Sequence, residues 1–503
     1  MLVGPPARRA SLRMTTTLLC AHWKRAFLLA AVSFLSFIYF YEGGGWNQNS
    51  RFDLLRAIVE RQTLTIDAYH ENTQDKAHFR GHYYSDKAPG LVFAAVPLAL
   101  AIRSVMGIAG VDVNSARGEY VLSYVITAAA VGLPTALAAM CLFFVALGFG
   151  CDSNAGGFAG VAMTLGSPIW AYASLFWAHA LVGACFLFAF GSALKLKNSA
   201  SARGEFLWAL AVGLAAGWAT VTEYPAVPAS ALMAWFALAQ VWRRGAAVRW
   251  RVVAGIAIGA GGCALVLFSY LHAAFGSFRP SYSYYDPNSF SFMQGQGYLG
   301  LTYPHPDRLL KLLFGCSRGL LLASPVMLAA PIGLWWLWKT ERLAAALVAA
   351  GIALYYFLFN ASFYWWKAGL TFGPRYAGAA IPIASLGVAV FYQNASAHWR
   401  RVLLVLAVAS VFVTLMVVST TSQLAMQDSC PIVHSSWPAF WSGQMALNRE
   451  SMLTATEAGP GCGAFNVGQL MGLHGLASLL PLLAIWGIAG VFWSRIRDRQ
   501  PPA

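Results

Sequence analysis

The chain has 503 residues, of which 58% are hydrophobic and 11% are charged, whereas roughly 25% of the residues of an average soluble domain are charged. This composition excludes a soluble globule and predicts an all-α, polytopic membrane protein, because a helix of about 20 apolar residues crosses a hydrocarbon core. The formal net charge of +15 does not indicate a nucleic-acid partner. The basic residues form short clusters beside apolar runs, as expected for the cytoplasmic ends of membrane-spanning helices.

About 12 to 13 apolar segments follow one another along the chain. We assign residues 1–25 to a basic cytoplasmic N-terminus, 26–493 to one transmembrane domain and 494–503 to a cytoplasmic tail. No small-residue cleavage site follows the first apolar run, which therefore predicts an uncleaved first helix, with Met14 as an alternative start. With the basic clusters placed inside, four polar or aromatic loops are external: residues 42–90, 275–317, 360–376 and 421–474.

The number of crossings before the basic cluster at Lys195 is ambiguous. Four apolar stretches lie between the first external loop and this cluster, and four crossings would place Lys195 outside, against its charge. Residues 89–107 are the best candidate for a re-entrant or interfacial segment, because they begin at a Pro-Gly break and carry Arg103. The alternative is that this stretch spans the membrane and two later stretches merge.

The first external loop is rich in acids. The sequence Arg51–Glu60 places apolar residues on one helical face and Asp53 on the other, which predicts a surface helix that presents Asp53 to a cavity. At the end of the loop, Asp86 and Lys87 precede the Pro-Gly break, where a lysine can act as a point charge for a lipid phosphate. Seven of the 19 acids of the chain belong to this loop: Glu42, Asp53, Glu60, Asp67, Glu71, Asp75 and Asp86.

The order of these elements resembles the GT-C superfamily of membrane glycosyltransferases. A first helix is followed by the acid-bearing SRFDLLRAIVE and, about thirty residues later, by YYSDKAPG, as in the bacterial lipid A aminoarabinose transferases and the protein O-mannosyltransferases. The resemblance implies that Asp53 is the general base, that Asp86 is the acid of the acid-lysine pair, and that Lys87 binds the donor phosphate. Two departures are Lys-Ala-Pro in place of Lys-Pro, and His179 where many relatives have another acid.

Further residues of the external loops are candidates for the same site. Arg375 follows a Gly-Pro turn and Arg318 precedes an apolar helix, so that both are candidate ligands of the donor phosphate. Possible substrate-binding residues are His179, Glu223, Tyr84 and Tyr376. A second surface helix is expected within Asp307–Arg318.

Histidines and cysteines of the loops suggest two further features. His78 and His82 have the i, i+4 spacing of a helical metal pair and share their loop with His70, Asp75 and Asp86, so that a divalent metal is a possible cofactor and no other is expected. Cys430 and Cys462 lie in the external loop 421–474, where a disulfide between them is plausible.

These observations favour an inverting glycosyltransferase of the bacterial inner membrane with its active face in the periplasm. The donor would be a sugar on a polyprenyl phosphate, and the acceptor a hydroxyl of an envelope lipid, glycan or protein. The main rival is a transporter or flippase of a lipid-linked or small polar substrate, although the chain shows no internal repeat. A non-catalytic assembly partner is the third class.

Overall fold

The computed structural model describes residues 16–496 except 291, 293, 294, 341 and 458–462. Within these residues the chain forms twenty α-helices: α1 (Thr16–Ile38), α2 (Trp46–Arg61), α3 (Gly90–Ile108), α4 (Ala116–Thr127), α5 (Leu133–Gly148), α6 (Ser153–Thr164), α7 (Ile169–Ala173), α8 (Ala178–Lys197), α9 (Ala202–Thr222), α10 (Val227–Val241), α11 (Ala246–Phe275), α12 (Pro306–Phe314), α13 (Leu320–Ala323), α14 (Ala329–Lys339), α15 (Leu343–Ser362), α16 (Ile381–Asn394), α17 (Ala397–Thr420), α18 (Trp437–Trp441), α19 (Val467–Leu470) and α20 (Leu480–Arg495).

The helices form a bundle with two chemically different ends. One end, the basic face, is marked by Arg25, which donates to the carbonyl oxygen of Ile496 at 2.7 Å, and by Glu205, which pairs with Arg244 and Arg251. These contacts bring together the N-terminal half of α1 and the end of α20, and the starts of α9 and α11. The opposite end, the acidic face, carries the loops that contain Asp53, Asp75, Asp86 and Glu223.

Ten helices of the described chain are long and apolar enough to cross a membrane. Nine of them connect the two faces. Three further segments also connect the faces: α1, the interrupted pair α6 and α7, and the interrupted pair α13 and α14. The prediction of a polytopic all-α membrane protein is therefore confirmed, and the alternation of faces after Lys195 follows the pattern of the basic clusters.

Small residues allow the helices to approach one another closely. Helices α9 and α11 pack along much of their lengths, and at Gly259 of α11 an added Cβ would lie 2.6 Å from the carbonyl oxygen of Leu210 and 2.7 Å from the nitrogen of Leu214. Any side chain at Gly259 would push α9 away. Such close backbone contacts stabilise helix pairs in lipid, where no hydrophobic effect drives helix association.

Of the ten apolar helices, α3 is the one that does not connect the two faces. Its contacts place both of its ends on the acidic face. At its start, a Cβ on Gly90 would lie 2.6 Å from the nitrogen of Thr222, at the end of α9. At its end, Arg103 pairs with Glu119 of α4 at 2.9 Å and with Glu60 of α2 at 3.2 Å. Helix α3 therefore lies along α2 on the acidic face, which agrees with the interfacial assignment rather than the spanning one.

Four short strands tie the loops of the acidic face together. Strand β1 (Phe40–Glu42) pairs with β4 (Ala464–Asn466), and β2 (Lys76–Phe79) pairs with β3 (His82–Ser85), both antiparallel. The β2–β3 hairpin turns at Arg80 and Gly81, which both have positive φ angles, as a type I′ turn requires. His78 and His82 therefore lie on two different strands, so their i, i+4 spacing does not place them on one helical face.

A disulfide joins two of the predicted external loops. Cys430 is bonded to Cys316, which connects loop 275–317 to loop 421–474. The predicted pairing of Cys430 with Cys462 is therefore wrong, because the sulfur of Cys430 is already bonded; Cys462 itself lies outside the described residues.

The position of α3 can be tested by labelling from one side of the membrane. Asp112, just after α3, Glu71 in the first loop and Arg203 at the basic face are all exposed. In intact cells, a membrane-impermeant maleimide should label Asp112→Cys from the same side as Glu71→Cys and from the opposite side to Arg203→Cys, after the labelling of the parent protein is subtracted. Labelling of Asp112→Cys together with Arg203→Cys would show that α3 spans the membrane.

Candidate active site

A cavity of about 430 Å³ opens on the acidic face. We call it the acidic-face cavity. Five segments contribute to its wall, namely the four external loops and the connection between α7 and α8, and the wall combines charged and amide side chains with a large aromatic surface. Its lining includes Lys87, Asp75, Arg375, Glu450, Asn47, Gln423 and Gln427 together with Trp46, Trp177, Tyr285, Phe290, Phe363, Trp365 and Tyr376.

Lys87 lies at the wall of this cavity between two carboxylates. Its Nζ is 2.8 Å from Asp75 Oδ2 and 2.9 Å from Asp86 Oδ2. The hairpin explains this arrangement, because β2 pairs Lys76 with Ser85 and so brings the preceding Asp75 beside the following Asp86. We call Asp75, Asp86 and Lys87 the Lys87 cluster.

The electrostatics of the cluster keep its lysine charged. Burial lowers the pKa of Lys87, but the carboxylates of Asp75 and Asp86 outweigh burial, so that the pKa is raised above its ordinary value. Burial raises the pKa of Asp86 to about 6; the ammonium of Lys87 lowers it and the charge of Asp75 raises it further. At neutral pH the cluster therefore carries one cation and two anions, and Asp86 gains its proton in mildly acidic solution.

Arg375 supplies a second cation to the cavity. Its guanidinium lies 4.9 Å from the ring centre of Trp177 and 5.4 Å from that of Tyr376, within the range of cation–π contacts. Arg375 Nε and Trp177 Nε1 are both buried, and among the described residues neither has a hydrogen-bond partner. Because buried donors are normally satisfied, the wall beside Lys87 is suited to an anionic acceptor such as a phosphate.

Glu223 and His179 lie in the wall behind these cations. Glu223 accepts a hydrogen bond from Arg51 at 2.8 Å, and His179 Nδ1 is 3.9 Å from the same carboxylate oxygen. Burial raises the pKa of Glu223, whereas Arg51, Lys87 and Arg375 lower it. Neither Glu223 nor His179 is among the residues that line the cavity, so their contacts place them as supports of Arg51 and of Tyr376, whose ring faces His179 at 6.2 Å.

Asp53 does not face the acidic-face cavity. Its side chain is completely buried, its Oδ1 accepts a hydrogen bond from Asn72 at 3.1 Å, and its Oδ2 has no partner among the described residues. Burial raises the pKa of Asp53 well above its ordinary value, an effect that the Asn72 hydrogen bond opposes. The helix predicted at Arg51–Glu60 is formed as part of α2, but it is not exposed on one face, because residues 48–57 are buried on all sides.

The acid that borders the cavity beside Lys87 is Asp75, which the helical pattern of α2 did not single out. The sequence does contain a signal for it. Arg80-Gly81 is a hairpin turn, and counting outwards from this turn pairs Lys76 with Ser85 and thus places Asp75 next to Asp86.

Two other predicted residues lie outside the cavity wall. Arg318 donates to the carbonyl oxygens of Lys367, Ser317, Gly369 and Leu424, so it holds loop 360–376 against loop 421–474 instead of offering its hydrogens to a phosphate. Tyr84 packs on Phe275 with ring centres 5.0 Å apart. Tyr376 and Arg375, by contrast, both line the cavity as predicted.

The described residues contain no group of three or more His, Cys, Asp or Glu side chains arranged to hold a metal ion. His82 pairs with Asp67 at 2.7 Å on the exposed edge of the hairpin, and His70 stacks on Tyr83 at 3.9 Å. His82 and His70 therefore have other partners within the protein, and no role is assigned to a metal ion.

Known structures share this fold. No family model and no curated protein matches the chain. The crystal structure of ArnT from Cupriavidus metallidurans bound to undecaprenyl phosphate matches with a TM-score of 0.50 and 17% sequence identity, over 94% of this chain and 76% of that chain. The apo structure of the same protein matches with a TM-score of 0.47 and 16% identity, over 76% of this chain and 61% of that chain. The predicted resemblance is therefore confirmed at the level of the fold.

The pKa of Asp86 predicts a pH dependence of anion binding. As the pH falls through about 6, Asp86 gains a proton and the net charge of the Lys87 cluster changes from −1 to zero. A dialkyl phosphate keeps its single negative charge over this range, so its affinity for the cavity should rise about three- to tenfold between pH 8 and pH 5.

Isothermal titration calorimetry of the detergent-solubilised protein measures this affinity. In Asp86→Asn the charge at position 86 is absent at every pH, so that its affinity should be nearly constant and close to that of the parent protein at pH 5. A parent protein without pH dependence, or an unchanged dependence in Asp86→Asn, would contradict the assignment.

Proposed function

We propose that the protein is a membrane glycosyltransferase that moves a sugar from a polyprenyl-phosphate donor to an acceptor hydroxyl. The observation that carries this proposal is the acidic-face cavity, where Lys87 and Arg375 stand beside unpaired buried donors. A fold shared with ArnT, which was crystallised bound to undecaprenyl phosphate, supports a lipid phosphate as the anion. The aromatic wall suits a sugar, because ring faces stack on Trp, Tyr and Phe.

Transfer of the sugar requires two kinds of group in the cavity: a base for the acceptor proton and cations for the leaving phosphate. The acceptor oxygen attacks the anomeric carbon and forms a new bond while the bond from this carbon to the phosphate oxygen breaks, which inverts the configuration. The acceptor proton passes to a carboxylate, and the electron pair of the broken bond remains on the lipid phosphate. Lys87 and Arg375 stabilise the charge that grows on this phosphate, since preorganised cations in a water-poor site contribute most to such steps.

Asp75 is the carboxylate that we assign as the general base. It lines the cavity, whereas Asp53 is enclosed and reaches only Asn72. Because a base must be within hydrogen-bond reach of the proton that it removes, the position of Asp75 fits the role that the family resemblance implies for Asp53. We propose that Asp53 instead positions the loop: Asn72 also donates to the carbonyl oxygen of Met452.

An apolar groove offers a surface for the polyprenyl chain. It has a volume of about 420 Å³ and is lined by residues such as Leu313, Leu320, Leu334 and Phe357. Helix α15, which borders this groove, ends at Ser362, next to Phe363 at the wall of the acidic-face cavity. A donor could therefore place its phosphate at Lys87 while its chain follows the side of α15.

The distribution of charge supports a periplasmic site. Basic clusters occupy the face opposite the cavity, and positively charged loops remain in the cytoplasm. We propose that the acidic-face cavity opens to the periplasm of a bacterial inner membrane and that the acceptor is an envelope lipid, glycan or protein. The ionisable side chains of this cavity lie in loops and at helix ends, whereas transporters bind substrate near the bilayer midplane.

The cations of the cavity should be required for transfer. Mass spectrometry of envelope lipids, glycans and proteins from a deletion strain should show one missing sugar, which identifies donor and acceptor. Complementation with Lys87→Gln or Arg375→Gln should restore transfer at a rate reduced about 100-fold or more. Lys311→Gln, which removes an exposed cation of the same face, should restore the full rate.

Expression and thermal stability in detergent must be matched before the rates are compared. The conservative variants Lys87→Arg and Arg375→Lys keep the charge and separate a loss of phosphate contact from a loss of fold. A deletion strain with no missing sugar would favour transport, and full transfer by well-folded Lys87→Gln would refute the proposed role of Lys87.

The two candidate bases make opposite predictions. Asp75→Asn should lower the transfer rate about 100-fold or more while polyprenyl phosphate binds as well as before or more tightly, because one negative charge beside Lys87 is removed. Asp53→Asn is nearly isosteric and keeps an oxygen for Asn72, so its rate should remain within a few-fold of the parent rate. The reverse result, with Asp53→Asn inactive and Asp75→Asn active, would show that Asp53 is the general base.

A further inference from the structure

A second large groove lies on the basic face, on the side of the bundle opposite the proposed active site. Its volume is about 820 Å³, and it is bounded by α8, α10 and the start of α15. Four cationic side chains line it, and none of the described residues in its lining is acidic: Lys197, Arg243, Arg244 and Arg342. We call it the basic groove.

Two of these cations are fixed by the protein and two are free to bind. Arg244 pairs with Glu205, and Arg342 donates to the carbonyl oxygen of Phe149 while its guanidinium lies 5.1 Å from the ring centre of Phe149. Lys197 and Arg243 are exposed, and neither forms a hydrogen bond or an ion pair with another described residue. The groove therefore contains two cations that contact other parts of the protein and two exposed cations without a partner among the described residues.

The N-terminus of α15 adds to the positive potential. This helix has 20 residues, and its N-cap residue, Arg342, makes no capping hydrogen bond through its side chain. Ala344 and Ala345 of the first turn line the groove. The positive end of a helix dipole attracts anions, although the N–H group of Ala345 already donates to the carbonyl oxygen of Arg342, so the four side-chain cations are the main source of positive charge in the groove.

Apart from Gln240, the remainder of the lining is apolar. Trp235 and Trp242 are 45% and 66% exposed, and the half-buried Leu238 lies on α10 beside them in the lining. Tryptophans at the level of the headgroups are typical of membrane interfaces. A small water-soluble anion would make no use of this surface, whereas an amphiphile with an anionic head would contact both parts of the groove.

We propose that the basic groove binds an anionic phospholipid of the adjacent leaflet. The headgroup phosphate lies between Lys197, Arg243 and the N-terminus of α15, and an acyl chain follows Trp235 and Leu238. Basic pockets between membrane helices on the cytoplasmic side select anionic lipids in this way. The site is independent of the acidic-face cavity and of the transfer reaction.

Native mass spectrometry of the full-length protein with added dioleoyl phosphatidylglycerol or dioleoyl phosphatidylcholine tests this proposal. The parent protein should bind phosphatidylglycerol in preference to phosphatidylcholine, and the double variant Lys197→Gln/Arg243→Gln should bind it about tenfold less tightly. The matched control is Arg203→Gln/Arg401→Gln, which removes two exposed cations of the same face from outside the groove and should bind like the parent protein.

Each outcome separates the specific site from a general effect of charge. An equal loss in the control variant would show diffuse attraction and overturn the site. Displacement of the lipid by millimolar inorganic phosphate would show a soluble-anion site and overturn the lipid assignment. A melting temperature that phosphatidylglycerol raises in the parent and the control, but not in the groove variant, would support the proposal by a second measurement.

Discussion

The acidic face depends on the burial of Lys87 between Asp75 and Asp86. Removing an ammonium from water costs several kcal/mol unless it is paired with good geometry, and contacts of 2.8 and 2.9 Å provide that pairing. The two carboxylates carry more charge than the one cation, and the nearby Arg51 stabilises the charged form of Asp86. The cluster can exist only if the segments before β2 and after β3 meet, so its formation requires the hairpin and its register.

The surrounding contacts hold this hairpin and its neighbours in one arrangement. Glu42 accepts hydrogen bonds from Thr421, Ser422 and Gln423, which fixes loop 421–474 to the first loop. Arg56 pairs with Glu457 at 2.9 Å and closes the same two loops at a second point. Because each contact joins segments almost 400 residues apart, the cavity wall is assembled only in the complete bundle, and its cations are positioned before any ligand arrives, as electrostatic catalysis requires.

The sequence predicted those features that depend on composition and on local pattern. The basic clusters near Lys195 and Arg243 lie on one face of the bundle, as the rule that relates topology to charge leads one to expect, and Lys87, which YYSDKAPG singled out, lines the acidic-face cavity. Helical periodicity failed for Asp53, because a polar helical face can pack against polar partners such as Asn72 as well as against water. The partner of Cys430 also could not be predicted, because pairing depends on which loops the fold brings together.

The carboxylates around the proposed phosphate site disfavour the binding of an anion. They nevertheless match the change of charge in the proposed reaction. Before transfer, the donor is a phosphodiester with one negative charge, and the Lys87 cluster carries a net charge of −1. As the phosphate leaves, it gains negative charge while the acceptor proton neutralises Asp75. The cluster thus becomes less negative at the moment when the phosphate becomes more negative, so the interaction strengthens in the transition state and not in the ground state. Selective stabilisation of this kind increases the rate, whereas uniformly stronger binding would only hold the donor more tightly.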